Sequence, residues 1–385
     1  MLETNFKKSR VRRYEKDFSE ESRSLSIFNY TCWLCGKNQP DCLHHILGGE
    51  FEEADSPLNA APLHNQKCHI GRGHHFTDDE TKKMLVKTYL YLISQWYRLS
   101  QKDKLFVDYV VKNKLISPMT VIDIGTRGGF SKYWQSFEGL IRLIGFEADA
   151  KECGKDRGIN NFALHRDNKK HKFYITQSPA SSSFYPFDRN FISRLRDEPL
   201  MQTVGEKKYK TRTLDSFNIY PDFIEMDTEG CELDILQSGV ETLKSCIGLE
   251  VEVSFIQERI GSPLFADVDT FLREQGFNLY NMKLLKYPRK PLKHGIYKCA
   301  LATPVGQIMA AHVVYFRDLI SVIEKWSLDK VLKQSCLMDL YELPDCAVEN
   351  LAELFKRRIL DTRELMKLID LSQCFEEVIE KMEGN

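Results

Sequence analysis

The stretch Val121-Ile-Asp123-Ile-Gly125-Thr126-Arg127-Gly128-Gly129-Phe130 is a short apolar run that breaks into a glycine-rich turn. Val121, Ile122 and Ile124 are β-branched and read as a buried strand, with Asp123 near its C-terminal end. Gly125, Gly128 and Gly129 let the backbone turn tightly and approach a ligand closely, and Phe130 could open a helix. A strand, an acid and a glycine turn are what a doubly wound α/β sheet sets at its ligand crevice. The spacing Asp-x-Gly-x-x-x-Gly differs from the Gly-x-Gly-x-x-Gly that seats a pyrophosphate, so a ligand with no phosphate to cradle is expected.

Outward from the turn, a βα alternation starts at Pro118. Leu140–Glu147 reads as the next strand after an intervening helix, and it ends in an acid 24 residues beyond Asp123. That separation is close to the roughly 20 residues at which dinucleotide sites place a ribose-binding acid. Asn161–His165 and Lys172–Gln177 read as further strands, and Ser178-Pro-Ala-Ser181-Ser-Ser183 as a polar loop over the site. Phe223–Met226 is a strand ending in Asp227, Gly230 turns the chain, and Leu233, Ile235 and Leu236 enter a helix. Gly248–Val253 is a late strand carrying Glu250 and Glu252.

Three blocks carry a family resemblance: Asp123-Ile-Gly125, Gly145-Phe-Glu147-Ala-Asp149, and Leu214-Asp215 followed by Asp227-Thr-Glu229-Gly230-Cys-Glu232-Leu-Asp-Ile-Leu236. In order and spacing they resemble the FkbM family of S-adenosylmethionine-dependent methyltransferases over residues 118–285, less than half of the chain. The resemblance implies a Rossmann-like class I methyltransferase sheet of the α/β class. It also implies S-adenosylmethionine as cofactor, held by Asp123, Gly125, Thr126, Gly129 and Glu147, with Glu147 accepting from the ribose hydroxyls. The implied reaction is O-methylation of a sugar or another small hydroxylated acceptor. Asp227 and Glu229 would take the hydroxyl proton or bind a metal. Two departures bear on the acceptor: Arg127 stands where an asparagine is usual, and Glu225 where a lysine often precedes the block. Asn/Asp-Pro-Pro-Tyr and a Pro-Cys nucleophile are both missing, which disfavours methylation of DNA bases.

The second informative region is residues 25–80. Cys32-Trp-Leu-Cys35 is a knuckle, and His64-Asn-Gln-Lys-Cys68 is a wider second one, the donor set tetrahedral zinc requires. We assign Cys32, Cys35, His64 and Cys68 to a structural zinc ion, with Cys42 a rival ligand. The pair His44-His45, Asn59, and His69 with His74 or His75 resemble the HNH (ββα-metal) endonucleases. That resemblance implies His44 and His74 (or His69) as ligands of Mg2+ or another divalent ion, His45 as the base activating water, and Asn59 as its orienter.

Before this module, residues 1–24 read as a basic flexible arm, with Lys7, Lys8, Arg10, Arg12 and Arg13 close together. After it, residues 81–117 read as a helical connector, including a helix near Lys104–Lys112. The methyltransferase domain is expected over 118–304, and 305–385 as a helical segment with apolar residues at three-to-four spacing.

The 385 residues leave room for such a composite, and 42% apolar with 28% charged residues is ordinary globular composition. A net charge of −1 gives no global attraction to nucleic acid or membrane, so such contacts must be local. No apolar run approaches the ~18 residues of a membrane span, and the first residues lack a signal-peptide core, so a cytoplasmic protein with reduced thiols is expected. The leading expectation is the methyltransferase. A metal-dependent nuclease with the methyltransferase-like domain as sensor or partner is one alternative. Another is that the zinc module and basic arm bind nucleic acid, such as DNA, and deliver the methyltransferase to it.

Overall fold

The computed structural model describes residues 42–45, 60–63, 105–153, 158–291 and 306–356, which belong to two compact units. The first unit takes in Met1–Phe106 and Pro344–Asn385. Its described parts are an antiparallel pair, β1 (Cys42–His45) with β2 (Ala60–Leu63), and a helix over Pro344–Lys356. His44 and His45 thus lie on β1, in register with Ala61 and Ala60. Cys32, Cys35, Asn59, His64, Cys68, His69, His74 and the arm 1–24 lie outside the described residues.

The second unit, Val107–Leu343, holds the sheet. Its strands in chain order are β3 (Met119–Ile124), β4 (Ile141–Phe146), β5 (Ile159–Asn160), β6 (Ala163–Leu164), β7 (Lys170–Thr176), β8 (Thr203–Arg212), β9 (Phe223–Met226), β10 (Gly248–Ser254), β11 (Asn278–Tyr287) and β12 (Gln307–Phe316). Seven of these form one sheet in the order β11-β12-β10-β9-β3-β4-β5. Neighbours from β10 to β5 are parallel, and β12 runs antiparallel between β10 and β11. From β3 the chain moves to β4 and β5 on one side, then returns to β9 and β10 on the other. That reversal is a topological switch point, and its crevice opens at the carboxyl ends of β3 and β9. A second, three-stranded sheet has the order β6-β8-β7.

Side-chain alternation gives the large sheet two different faces. Ile122, Ile124, Ile224, Met226, Leu249, Val251, Val253, Val313 and Tyr315 fill one face and join Ile235, Leu236, Val268 and Leu272 in a single apolar cluster. The last four come from helices α1 (Glu232–Gln237) and α3 (Phe265–Glu274), with the short α2 (Val240–Leu243) between them. Each fully buried branched side chain contributes about 1.5–3 kcal/mol, so this face dominates the stability of the sheet. On the other face, registered neighbours Asp123, Glu225 and Glu250 form a row across β3, β9 and β10.

The helical expectation for 305–385 is corrected at its start, because Gln307–Phe316 is strand β12. This strand is buried from Met309 onward except at His312, so its apolar run shows no alternation. Periodicity alone does not separate such a run from a buried helix. The sheet therefore continues past residue 304. Helices follow it, the longest in this unit being α4 (Leu328–Leu340). The helix expected after the glycine turn is a 3-10 segment, Lys132–Phe137. Among the described residues, no helix is long and apolar enough to cross a membrane.

Candidate active site

At the switch point the glycine turn lies against the end of β9. Asp227 N–H donates to Ile124 O at 3.0 Å, which pulls the two strand ends together. Gly125 has φ +96°, and a Cβ there would lie 1.9 Å from Asp227 O. Glycine is the residue this junction accepts. Gly129 also has φ +97°, and its N–H closes the turn on Thr126 O at 3.0 Å. Thr126 is buried, and its hydroxyl lies 3.3 Å from both Asp123 O and Phe146 O, tying β3 to β4.

Glu147 follows β4 directly and is 8% exposed. One carboxylate oxygen accepts from Asp149 N–H at 2.7 Å, while burial pushes its pKa up. Arg127 bridges to Glu152 at 3.0 Å and Asp149 at 3.7 Å, closing the rim beside it.

After β9 the chain makes a tight turn through Asp227, Thr228, Glu229 and Gly230. Glu232 Oε1 holds it by accepting from Thr228 N–H at 2.9 Å, Thr228 Oγ1 at 3.0 Å and Gly230 N–H at 3.1 Å. That is the physical content of the Asp-x-Glu-Gly-x-Glu spacing. Glu229 sits at φ +60° and pairs with the buried Arg259. The Ser178–Ser183 loop packs here: Ser183 Oγ donates to Glu229 O at 2.6 Å, and Arg259 donates to Ser181 O at 3.0 Å. Asp215, in the Leu-Asp block, has a structural task. Its carboxylate accepts from Thr242 N–H at 2.8 Å and Glu241 N–H at 3.1 Å, capping α2.

Carboxylates gather at this end of the sheet. Asp227, Glu229 and Glu252 bring ligand oxygens within 4.8 Å of one another, the one group of three potential metal-binding side chains among the described residues. Burial, Asp227 and Glu229 push the Glu252 pKa well up, and a hydrogen bond to Asp227 adds to the shift. Deeper in, the row Asp123–Glu225–Glu250 places like charges on adjacent strands, which is destabilising unless they are neutralised or hydrogen-bonded. Glu225 accepts from Trp134 Nε1 at 2.8 Å, from Ser131 Oγ at 3.3 Å and from Tyr133 OH. Glu250 accepts from Tyr341 OH at 3.0 Å. Burial first, then the neighbouring acids, raise Asp123 to about 8 and Glu250 to about 7.

Both acids hold their protons more tightly folded than unfolded. The stability they contribute is complete below about pH 4 and is lost as pH rises through about 7 to 8. The unfolding free energy of this unit should therefore fall between those limits, by at most ~1.4 kcal/mol per pH unit for each proton retained. In Asp123→Asn the slope should be shallower and the melting temperature at pH 8 higher. Melting curves with the same pH dependence for both proteins would refute the assignment.

The structure brings Asp123, Gly125, Thr126, Gly129, Glu147, Asp227 and Glu229 to the carboxyl end of one sheet. His44 and His45 belong to the other unit. Sequence reasoning missed Tyr133, Trp134, Tyr341 and Arg259, whose partners are 30 to 208 residues away in the chain. A buried Arg259 facing an acid-rich turn, and aromatic donors following the glycine turn, carry no local pattern that points to those partners.

Residues 123–279, less than half of the chain, match the family described as the methyltransferase FkbM domain. Among solved structures, the chain is similar to a methyltransferase FkbM from Methylobacillus flagellatus KT, at 12% identity and a TM-score of 0.29 over 63% of this chain and 55% of that one. It is also similar to magnesium protoporphyrin IX methyltransferase (ChlM) from Synechocystis PCC 6803, at 10% identity and a TM-score of 0.27 over 65% of this chain and 96% of that one. The chain thus spans about half the length of the first of these. No curated protein matches the sequence. The glycine turn, Asp227 and Glu229 all lie inside the stretch that matches the methyltransferase FkbM domain.

Proposed function

We propose that the sheet domain is an S-adenosylmethionine-dependent O-methyltransferase acting on a sugar or another small hydroxylated acceptor. The observation that carries this reading is the closure of Gly125 onto Asp227 O at the switch point, with a buried acid, Glu147, ending the neighbouring strand. The donor set suits this cofactor. One oxygen of Glu147 is held by Asp149 N–H, and its Oε2 remains to accept from vicinal hydroxyls. When bound, the cofactor supplies a methyl group already activated by a sulfonium.

The residues then have simple tasks. Glu147 and the glycine turn position the ligand, and the Ser178–Ser183 loop, held by Arg259, limits water. Asp227, exposed at the end of β9, takes the acceptor's hydroxyl proton. The cluster of Asp227, Glu229 and Glu252 could alternatively hold a divalent ion that orients the acceptor. Titrating the protein with Mg2+ before and after chelation distinguishes these two roles.

Calorimetric titration with S-adenosylmethionine tests the reading. Replacing Glu147 by Ala removes acceptors for the hydroxyls. It should weaken binding by about 1.5–3 kcal/mol, roughly ten- to a hundredfold. Equal affinity of wild type and variant would remove Glu147 from the site, and no binding by a folded wild type would remove the function.

A further inference from the structure

Strands β7 and β8 form an antiparallel ribbon in which Lys170 is in register with Lys210 and Lys172 with Lys208. Residues two apart on a strand share a face, so these four lysines occupy one face as two successive opposed pairs. All four are exposed. The opposite face carries His171 and Phe173, which pack on His165 and Phe184. The lysine face is therefore the outward one. Lys172 pairs with Glu206 at 3.0 Å. Among the described residues, Lys170, Lys208 and Lys210 carry no ion pair. Lys169, 80% exposed, is paired with Asp167 at 3.5 Å, and Lys207, opposite Phe173, belongs to the other face.

Folding gains nothing from this arrangement. Like charges directly opposite one another are unfavourable, and lysine is a poor strand former. Single lysines are enough to protect an edge strand from unwanted pairing. Two stacked lysine pairs instead make a compact field of positive charge in a chain whose overall charge is −1. Tyr174 stands next along the same face, with Lys172 Nζ 5.5 Å from its ring centre, so an aromatic platform adjoins the cations. Cross-strand neighbours lie ~5 Å apart and same-face neighbours along a strand ~7 Å apart, a spacing suited to a chain of closely set monoanions.

We propose that this face of the β7–β8 ribbon binds the phosphodiester backbone of a nucleic acid. The ribbon also flanks the candidate site. Tyr174 bridges to Ser183, whose hydroxyl donates to Glu229 O at 2.6 Å, so a bound strand would lie beside the Asp227–Gly230 turn. The proposal does not depend on the identity of the methyl acceptor.

The test uses the full chain and fluorescence anisotropy with labelled single-stranded and duplex oligonucleotides about 20 nucleotides long, over about 50–200 mM salt. Wild type should bind with an affinity that falls linearly on a log–log salt plot. Changing Lys170, Lys172, Lys208 and Lys210 together to Gln should lower affinity at least about tenfold and flatten the single-strand slope by about 2–3, at ~0.7 per lost contact. The variant's affinity for S-adenosylmethionine and its melting temperature should stay as in wild type. If the fourfold variant does not fold, Lys208→Gln with Lys210→Gln should remove about half of the slope change. The proposal fails if wild type binds neither probe at low salt. It also fails if the variants keep the wild-type slope, which would place the contacts elsewhere in the chain, or if heparin of matched charge binds more tightly than both oligonucleotides.

Discussion

Replacing Gly125 by Ala should unfold the switch point. The added Cβ would lie 1.9 Å from Asp227 O, a backbone atom that cannot rotate away, and the residue would be held at φ +96°. The conformation alone costs roughly 1–3 kcal/mol in a residue with a side chain. Relieving the overlap means separating β3 from β9, which breaks the Asp227 N–H bond to Ile124 O and loosens buried strands. Overpacking of that kind costs about 1–3 kcal/mol more. We expect a loss of roughly 2–6 kcal/mol in urea unfolding, together with loss of S-adenosylmethionine binding. Gly128→Ala is the control, because a Cβ there meets nothing within 4 Å. It keeps the strained backbone angle, at φ +84°, without the overlap. If the two variants lose equal stability, the close approach at Gly125 is not what holds the crevice together.

The second large effect is on turnover. Asp227 is exposed at the end of β9, so Asp227→Asn should leave the fold and the cofactor affinity nearly unchanged. If Asp227 accepts the acceptor's proton, removing its charge should lower kcat by about 10²- to 10⁴-fold. Once an acceptor is in hand, the split between kcat and binding decides the matter. A variant that turns over within about threefold of wild type would retire Asp227 as the base and leave positioning by the turn as the main contribution.

Much of the crevice was legible because its signals are local. β3 shows as Val121–Ile124, β9 is Phe223–Met226, and the turns at Gly125 and Gly230 are marked by residues that a positive φ demands. The Asp-x-Glu-Gly-x-Glu block could be read because Glu232 ties a turn only four residues long. What escaped depends on partners far along the chain. β12 hid inside an even apolar run. β8, rich in lysine, lacks the alternation of a half-buried strand. The parity of β11 is broken by an irregularity between Leu279 and Asn281. Glu225 looked like a plain departure from a family pattern. In the structure its charge is answered by Trp134 and Tyr133, 91 and 92 residues earlier.

The antiparallel insertion of β12 has a consequence for the order of synthesis. β10 ends at Ser254, and the strand that covers its free side begins only at Gln307. At about 5–20 residues per second, a ribosome needs roughly 3–12 s between completing the first strand and completing the second. Throughout that interval Leu249, Val251 and Val253 lie on an unpaired edge of apolar strand, the kind that recruits other chains. Yield in a cell should therefore respond to chaperone supply and translation speed more than the stability of the finished sheet would suggest.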